Sequence, residues 1–447
     1  MMGQQFDSAN AMQSAININE QTEENRIVKK VLNALIPLAI IGLFVSFIDR
    51  TNIGVAGPPM SAALGLTSSM FGLAAGLFFI GYVIFEIPSN LMLRRFGARI
   101  WIARIMMSWG LVCVAMAWVS GPNSLYTMRF ILGVFEAGFY PGILFYFSLF
   151  IPGKHLARAY SLFQIGIPIS LALGSVLTAA LLLMDGILGF SGWQWVFIVE
   201  GGLAVVVSFV CLKTMANTPD DAKWLTKDEK EKLNSYLKDS KQEINDPANH
   251  GLSAVKAIFK NPRAWYYCII YIFMMIGFYS VTYWAPQIIK LRMGLSNVDA
   301  GLVSAIPWAV ATVVLIYVSS YTSRYGRKGP ILVGVLAIAG IGMLISSLAT
   351  NNTIALVGLC MGACIQAAVP LLYSFPAQEF SGAKSAVTLA LINSVGNIGG
   401  FFGPYLLGIL RDATGADVIG QLLLSSSFLI AAFLAIGLLK KNRPLQT

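Results

Sequence analysis

Runs of about twenty apolar residues follow one another along this 447-residue chain, and each is long enough to cross a bilayer as a helix. A water-soluble domain carries roughly a quarter of its residues as charges. Here only 12% are charged while 56% are hydrophobic, so the chain reads as an all-α membrane protein. About twelve runs can be drawn, over 31–56, 68–93, 98–120, 123–150, 156–184, 192–214, 264–290, 299–322, 328–350, 353–378, 383–410 and 418–439. The polar stretch 215–263 divides them six and six. Residues 1–30 and 440–447 are polar tails. The first 25 or so residues lack the basic-then-apolar order of a signal peptide and are expected to be disordered.

The net charge of +10 does not point to nucleic acid, because its placement follows the links between runs. Arg94, Arg95 and Arg99, then Lys154 and Arg158, Arg324, Arg327 and Lys328, and finally Lys440, Lys441 and Arg443 occupy alternate links. This is the positive-inside bias. It predicts a multi-pass protein with the N-terminus, the central loop and the C-terminus in the cytoplasm. In the central loop, "LTKDEKEKLNSYL" reads as a surface helix with Thr226 and Glu229 at capping-box spacing and its charges in solvent.

Catalytic chemistry finds little to use. His155 and His250 are the only histidines and both fall in loops, so a metal site lacks its usual ligands. Cys113, Cys211, Cys268, Cys360 and Cys364 lie inside apolar runs, where free cysteine behaves as a small hydrophobe. No nucleophile, metal or cofactor constellation marks an enzyme, and no cofactor is expected.

The two halves repeat. Arg95-Phe96-Gly97-Ala98-Arg99 follows the second run, and Arg324-Tyr325-Gly326-Arg327-Lys328 follows the eighth, 229 residues later (324 − 95). The same offset sets Gln164 against Asn393. Repeats related by an axis along the membrane normal let one half rock against the other about a midplane site. The layout resembles the major facilitator superfamily: twelve transmembrane helices in two six-helix, pseudo-symmetric bundles. Within it, "DRTNIG", "EIPSNLML", "RFILGVFEAGFYPG" and "GWQWVFIVEGG" together resemble the anion:cation symporter family. That resemblance implies uptake of small organic anions such as sugar acids, tartrate-like dicarboxylates or aromatic acids, usually with protons. It assigns Arg95, Gly97, Arg99, Arg324, Gly326 and Arg327 to the turns that gate the cycle. The acid usual in those turns is replaced by Arg94 and Ser323, which leaves a gate ion pair without its carboxylate.

Charge inside the apolar runs is costly, at least about 2.5–3.5 kcal/mol per group at the bilayer centre. The first six runs hold Asp49, Arg50, Glu86, Arg104, Arg129, Glu136 and Glu200 in their interiors. The second six have Lys290, Asp299, Lys328 and Lys384 only at their ends. Ion chemistry is therefore expected in the first half, with neutral contacts from the second. A rise of 1.5 Å per residue sets Asp49 and Arg50 about 27 Å along the first run and Arg129 about 9 Å into the fourth, so they share a level. Glu136 is two helical turns from Arg129 on the same face. Two carboxylates and two guanidiniums would then form one column.

Arginine suits an anion because its planar fork donates two parallel hydrogen bonds to a carboxylate. Arg50 and Arg129 are the expected clamps. Asp49 is expected to pair with a neighbouring arginine until a proton frees that arginine for the substrate, and Glu136, with no cation beside it in sequence, to bind a proton as well, so both acids couple the proton. The resemblance implies those same four roles, and it places Tyr82, Gln164, Tyr373, Ser374 and Asn393 at or near the substrate. Glu86 is expected to pair with Arg94 or Arg95, and Arg104 to snorkel. The reading is a proton-coupled importer of a sugar acid or hydroxy-dicarboxylate, with an aromatic acid second. Its partners are the anion, the proton and the lipid of the inner membrane, and a monomer suffices. A drug or cation exporter of the same fold is the rival, and it would carry cavity carboxylates without paired arginines.

Overall fold

A computed structural model describes residues 2–244, 252–380 and 382–441. Eleven helical segments of the described residues are long and apolar enough to span a membrane. A further helix of 33 residues, Gly382–Thr414, lies before the last of them. The first bundle contains α1 (Met2–Leu64), α2 (Ser68–Phe96), α3 (Ala98–Ala115), α4 (Pro122–Glu136) with α5 (Phe139–Phe150), α6 (Gly153–Leu182) and α7 (Gly192–Thr214). Helices α8 (Lys227–Ile244) and α9 (Leu252–Phe259) form the connection. The second bundle contains α10 (Pro262–Met293), α11 (Asn297–Val303) with α12 (Ala305–Tyr325), α13 (Lys328–Leu348), α14 (Asn352–Ala363) with α15 (Ala368–Glu379), α16 (Gly382–Thr414) and α17 (Asp417–Ala435).

The internal repeat is visible in the packing. In the first bundle α1 packs on α6, α2 on α4 and α3 on α7. The equivalent pairs in the second are α10 on α16, α12 on α14 and α13 on α17. Lipid tails are as apolar as leucine, so helix association in a bilayer relies on close backbone approach through small residues. Gly81 and Gly133 meet reciprocally between α2 and α4, and a methyl group on either would collide with the facing backbone.

The bundles touch along α2 with α16, α6 with α11 and α12, and α1 with α10. The α2–α16 contact starts where Ser68 and Ser69 meet Asp412, and its last side-chain link is Glu86 with Asn393 and Ser394. The face with the basic turns, α8 and α9 lies beyond that link. The opposite face is closed by Gly72 under Pro404, Gly54 against Thr282 and Gly301 against Ala179.

The segment expected as a disordered tail is instead the start of α1, which is helical from Met2. Lys30 bonds Glu229 at 2.7 Å and Arg26 approaches it at 3.4 Å, while Lys154 bonds Glu24 at 2.5 Å. The capping box at Thr226 and Glu229 forms, with the Glu229 N–H donating to Thr226 Oγ1 and the Thr226 N–H to Glu229 Oε2. Glu229 is nevertheless buried rather than solvated, because α1 supplies its cations.

Candidate functional site

Arg50 and Glu136 form the central pair. Arg50 Nη2 donates to Glu136 Oε1 at 2.6 Å, and Ser46 Oγ, one turn earlier on α1, donates to the same oxygen at 2.7 Å. Both charged side chains are buried, Glu136 completely. Glu136 is the last residue of α4, and the helix breaks at Gly138, whose φ of 89° suits glycine. A side chain at Gly138 would strike Ser89 on α2. The "AGFYPG" break thus seats α4 against α2 and ends the helix at the carboxylate.

Arg129 lies on α4 two turns from Glu136. It is fully buried, and its Nε donates to the Ala74 carbonyl at 3.3 Å. Its Nη1 and Nη2 have no hydrogen-bond partner. The guanidinium carbons of Arg50 and Arg129 lie 5.0 and 5.2 Å from the Phe78 ring centroid, so one ring serves both cations. The Tyr82 ring is 5.1 Å from Arg50. From the second bundle, Tyr279 accepts a hydrogen bond from Arg50 Nη1 at 3.3 Å, and the buried Tyr283 hydroxyl faces Arg129.

Asp49 stands apart from this group. Successive helix residues point about 100° apart, so Asp49 faces α3 while Arg50 faces the bundle interface. Trp109 Nε1 donates to Asp49 at 2.8 Å and Cys113 Sγ at 3.3 Å. The expected pairing of Asp49 with an arginine is therefore corrected: the paired acid is Glu136, the one expected to be free. The column holds two guanidiniums and one carboxylate.

Glu86 is also corrected. Arg94 stacks on Phe145 and Arg95 on Phe96, and neither reaches Glu86. Glu86 instead accepts from Asn393 Nδ2 at 2.9 Å and Ser394 Oγ at 3.0 Å across the two bundles. Sequence reasoning missed it as a site residue. The available signal was its position four residues after Tyr82, on the same helix face. Asn393 Oδ1 also accepts from the Tyr373 hydroxyl at 3.4 Å, so Asn393 and Tyr373 belong to one wall of the second bundle. Ser374 is half-buried and donates to Leu371 O of its own helix. Gln164 on α6 is half-buried, and its Oε1 lacks a partner.

The gating turns are built as turns. Gly97 (φ 84°) and Gly326 (φ 67°) end α2 and α12. Arg99 Nε donates to Leu212 O at 2.6 Å, tying the first turn to the end of α7. Among the described residues, Arg95, Arg99, Arg324 and Arg327 form no ion pair. Arg104 lies over Trp101 at 3.9 Å.

Residues 39–404 match the Major Facilitator Superfamily. Two Agrobacterium vitis proteins, each named "Putative tartrate transporter", are 37% identical over 420 and 416 residues. Those matches cover 94% and 93% of this chain and 92% and 95% of theirs. A protein named quinolone resistance transporter, from Acinetobacter baumannii, is 35% identical over 92% of this chain and 94% of its own. In structure, a D-xylose-proton symporter aligns with a TM-score of 0.74 at 16% identity, over 90% of this chain and 96% of its own, a likeness of fold.

Proposed function

The chain belongs to the Major Facilitator Superfamily, a secondary transporter rather than an enzyme, and from that premise we propose that it imports a small organic anion together with a proton. The observation that carries the reading is Arg129, a fully buried guanidinium whose Nη1 and Nη2 donors are both unpartnered. A buried cation without a counter-charge is costly unless an anion completes it. A substrate carboxylate is the group whose two oxygens match that fork.

Arg50 supplies the coupling. It is held by Glu136, and a proton added to the Glu136 carboxylate removes the negative charge that holds it. Arg50 then exchanges that partner for the substrate carboxylate, so anion and proton enter together. Asp49 serves as a second proton acceptor behind the site. Tyr82, Tyr279, Tyr373, Ser374, Gln164 and Asn393 offer neutral hydrogen bonds that suit the hydroxyls of a sugar acid or hydroxy-dicarboxylate. The tyrosine rings also accommodate an aromatic acid, the second choice. The bundles rock as units, with the basic face cytoplasmic, both termini on that side, and the protein acting as a monomer in the inner membrane with no cofactor.

The test uses purified protein in liposomes under an inward pH gradient. Charge movement is recorded for sugar acids, hydroxy-dicarboxylates and aromatic acids. The expected result is a current for one class that Glu136→Gln abolishes. The rival, export of a cationic drug, draws on Glu86, a cavity carboxylate with only neutral partners, and on the quinolone-resistance relative. A response to organic cations and to no acid overturns the anion reading and selects the rival.

A further inference from the structure

A cavity of about 300 Å³ lies within the first bundle, between α1, α3, α5, α7 and the segment that follows α7. Its walls repeat at helical spacing: Leu38 and Ile41 on α1, Ile102 and Met106 on α3, Ile143 and Tyr146 on α5. No charged residue lines it, and none of Arg50, Arg129, Glu136 and Glu86 takes part, so it is not the anion site. Its volume is at the lower end of the range that holds a small ligand. Met106, Cys211 and Met215 supply polarisable sulfur, which adapts to an occupant of irregular shape.

The mouth faces the bilayer. Ile41 and Val210 line the cavity and are 47% and 43% exposed, and both lie in membrane-spanning segments. An apolar surface at that depth meets acyl chains rather than water. The composition changes towards the basic face. Trp224, beyond the end of α7, lines the cavity there, an aromatic of the kind found where a bilayer meets water. Lys213, three residues after Val210 in the last turn of α7, and Lys223, beside Trp224, are both exposed. Among the described residues neither forms an ion pair. The acids of the same stretch are occupied: Glu229 by Lys30, Asp228 by Lys232, Asp220 by Asn234 and Asp221 by Thr218.

We propose that this cavity binds an anionic phospholipid from the leaflet at the basic face, with one acyl chain in the cavity and the phosphate at Lys213 and Lys223. An acyl chain fits because it is flexible and wholly apolar, like the walls. A small organic anion does not, because a charge taken into those walls would find no partner. A zwitterionic lipid fills the cavity equally well but gains less from the lysines, since cations at the membrane surface favour anionic headgroups. The lining comes from the first bundle and the segment after it, with no residue of α10 to α17. The lipid can therefore stay bound while the bundles move against each other.

Trp224 is a built-in reporter, because it lines the cavity. The test takes the full chain in phosphatidylcholine nanodiscs that contain a rising fraction of phosphatidylglycerol with brominated acyl chains, which quench indole fluorescence on contact. The signal of Trp224→Phe is subtracted, and no substrate is needed, so the outcome is independent of anion transport. Quenching of Trp224 is expected to saturate, half-complete at a fraction about tenfold lower than for brominated phosphatidylcholine with the same chains, the scale of surface lysines acting on one anionic headgroup. Quenching that rises in proportion to either lipid alike shows bulk contact only and overturns the proposal. Ala34→Phe, which fills the mouth from the exposed side of α1, is expected to abolish the saturable part. An unchanged curve places the lipid elsewhere and overturns the proposal. If Ala34→Phe does not fold, Thr214→Phe on the α7 lip decides in the same way. Lys213→Glu combined with Lys223→Glu is expected to bring the two lipids to the same curve, and a retained preference for phosphatidylglycerol overturns the assigned headgroup contacts.

Discussion

Arg50 and Tyr279 hydrogen-bond across the bundle interface at 3.3 Å, and they stand 229 residues apart (279 − 50). That is the offset that aligns the two basic turns, 95 with 324. Residues related by a pseudo-twofold axis meet only when they lie close to it. The contact therefore places Arg50 close to the pseudo-twofold axis between the halves, with a cation on one side and a neutral tyrosine on the other.

Breaking the Arg50–Glu136 pair from either side leaves an uncompensated buried charge. Arg50→Ala and Glu136→Gln are each expected to lower stability by about 3–5 kcal/mol, read as thermal unfolding in detergent. The double variant is expected to lose less than the sum, with an interaction energy above about 0.5 kcal/mol. Additive losses would show that the two charges do not depend on each other.

Glu86 is the last polar link before the bundles part. Glu86→Ala leaves Asn393 Nδ2 and Ser394 Oγ without their acceptor, at a cost of about 1–3 kcal/mol. Glu86→Gln keeps an acceptor and is expected to lose less. Equal unfolding temperatures for Glu86→Ala and wild type would contradict the bridge.

The closed face depends on glycine. A side chain at Gly72 would overlap the Pro404 carbonyl on α16, so Gly72→Val is expected to force the bundles apart there. Thr282→Cys, buried on that face, should then react with a polar maleimide about tenfold more readily, equivalent to about 1.4 kcal/mol. Unchanged labelling would mean that α2 and α16 adapt without separating.

Asp412 caps α2 from the other bundle, accepting from the Ser68 and Ser69 N–H groups at 3.0 and 2.7 Å. Burial pushes its carboxyl up, but the hydrogen bonds from Ser69 and Ser68 outweigh it and hold the group at about 2, below its ordinary 3.8. A depressed value stabilises the closed face above pH 3.8, and that contribution fades as pH falls through about 2. Asp412→Ala is expected to cost about 1 kcal/mol at neutral pH. The difference from wild type in unfolding temperature should shrink as the pH is lowered towards 2. A difference that persists at the acid end would rule out the ionised cap.

The amino-acid sequence alone determined the all-helical membrane architecture, because apolar runs of bilayer length admit few other solutions. It also determined the doubled layout, through the two basic glycine turns, and the set of charges from which a site could be built. It named Arg50, Arg129 and Glu136, since charge in a bilayer needs a reason. Only the tertiary structure decided the partners. Neighbours on a helix diverge by about 100°, so Asp49 and Arg50, adjacent in the chain, serve different clusters, and the break after Glu136 decides which arginine that acid meets. Glu86 finds its partners 307 and 308 residues away. Glu24 and Glu229 meet cations from elsewhere in the chain. Such pairings depend on how helices cross, and crossings are set by side-chain packing over the whole bundle rather than by any local pattern of residues.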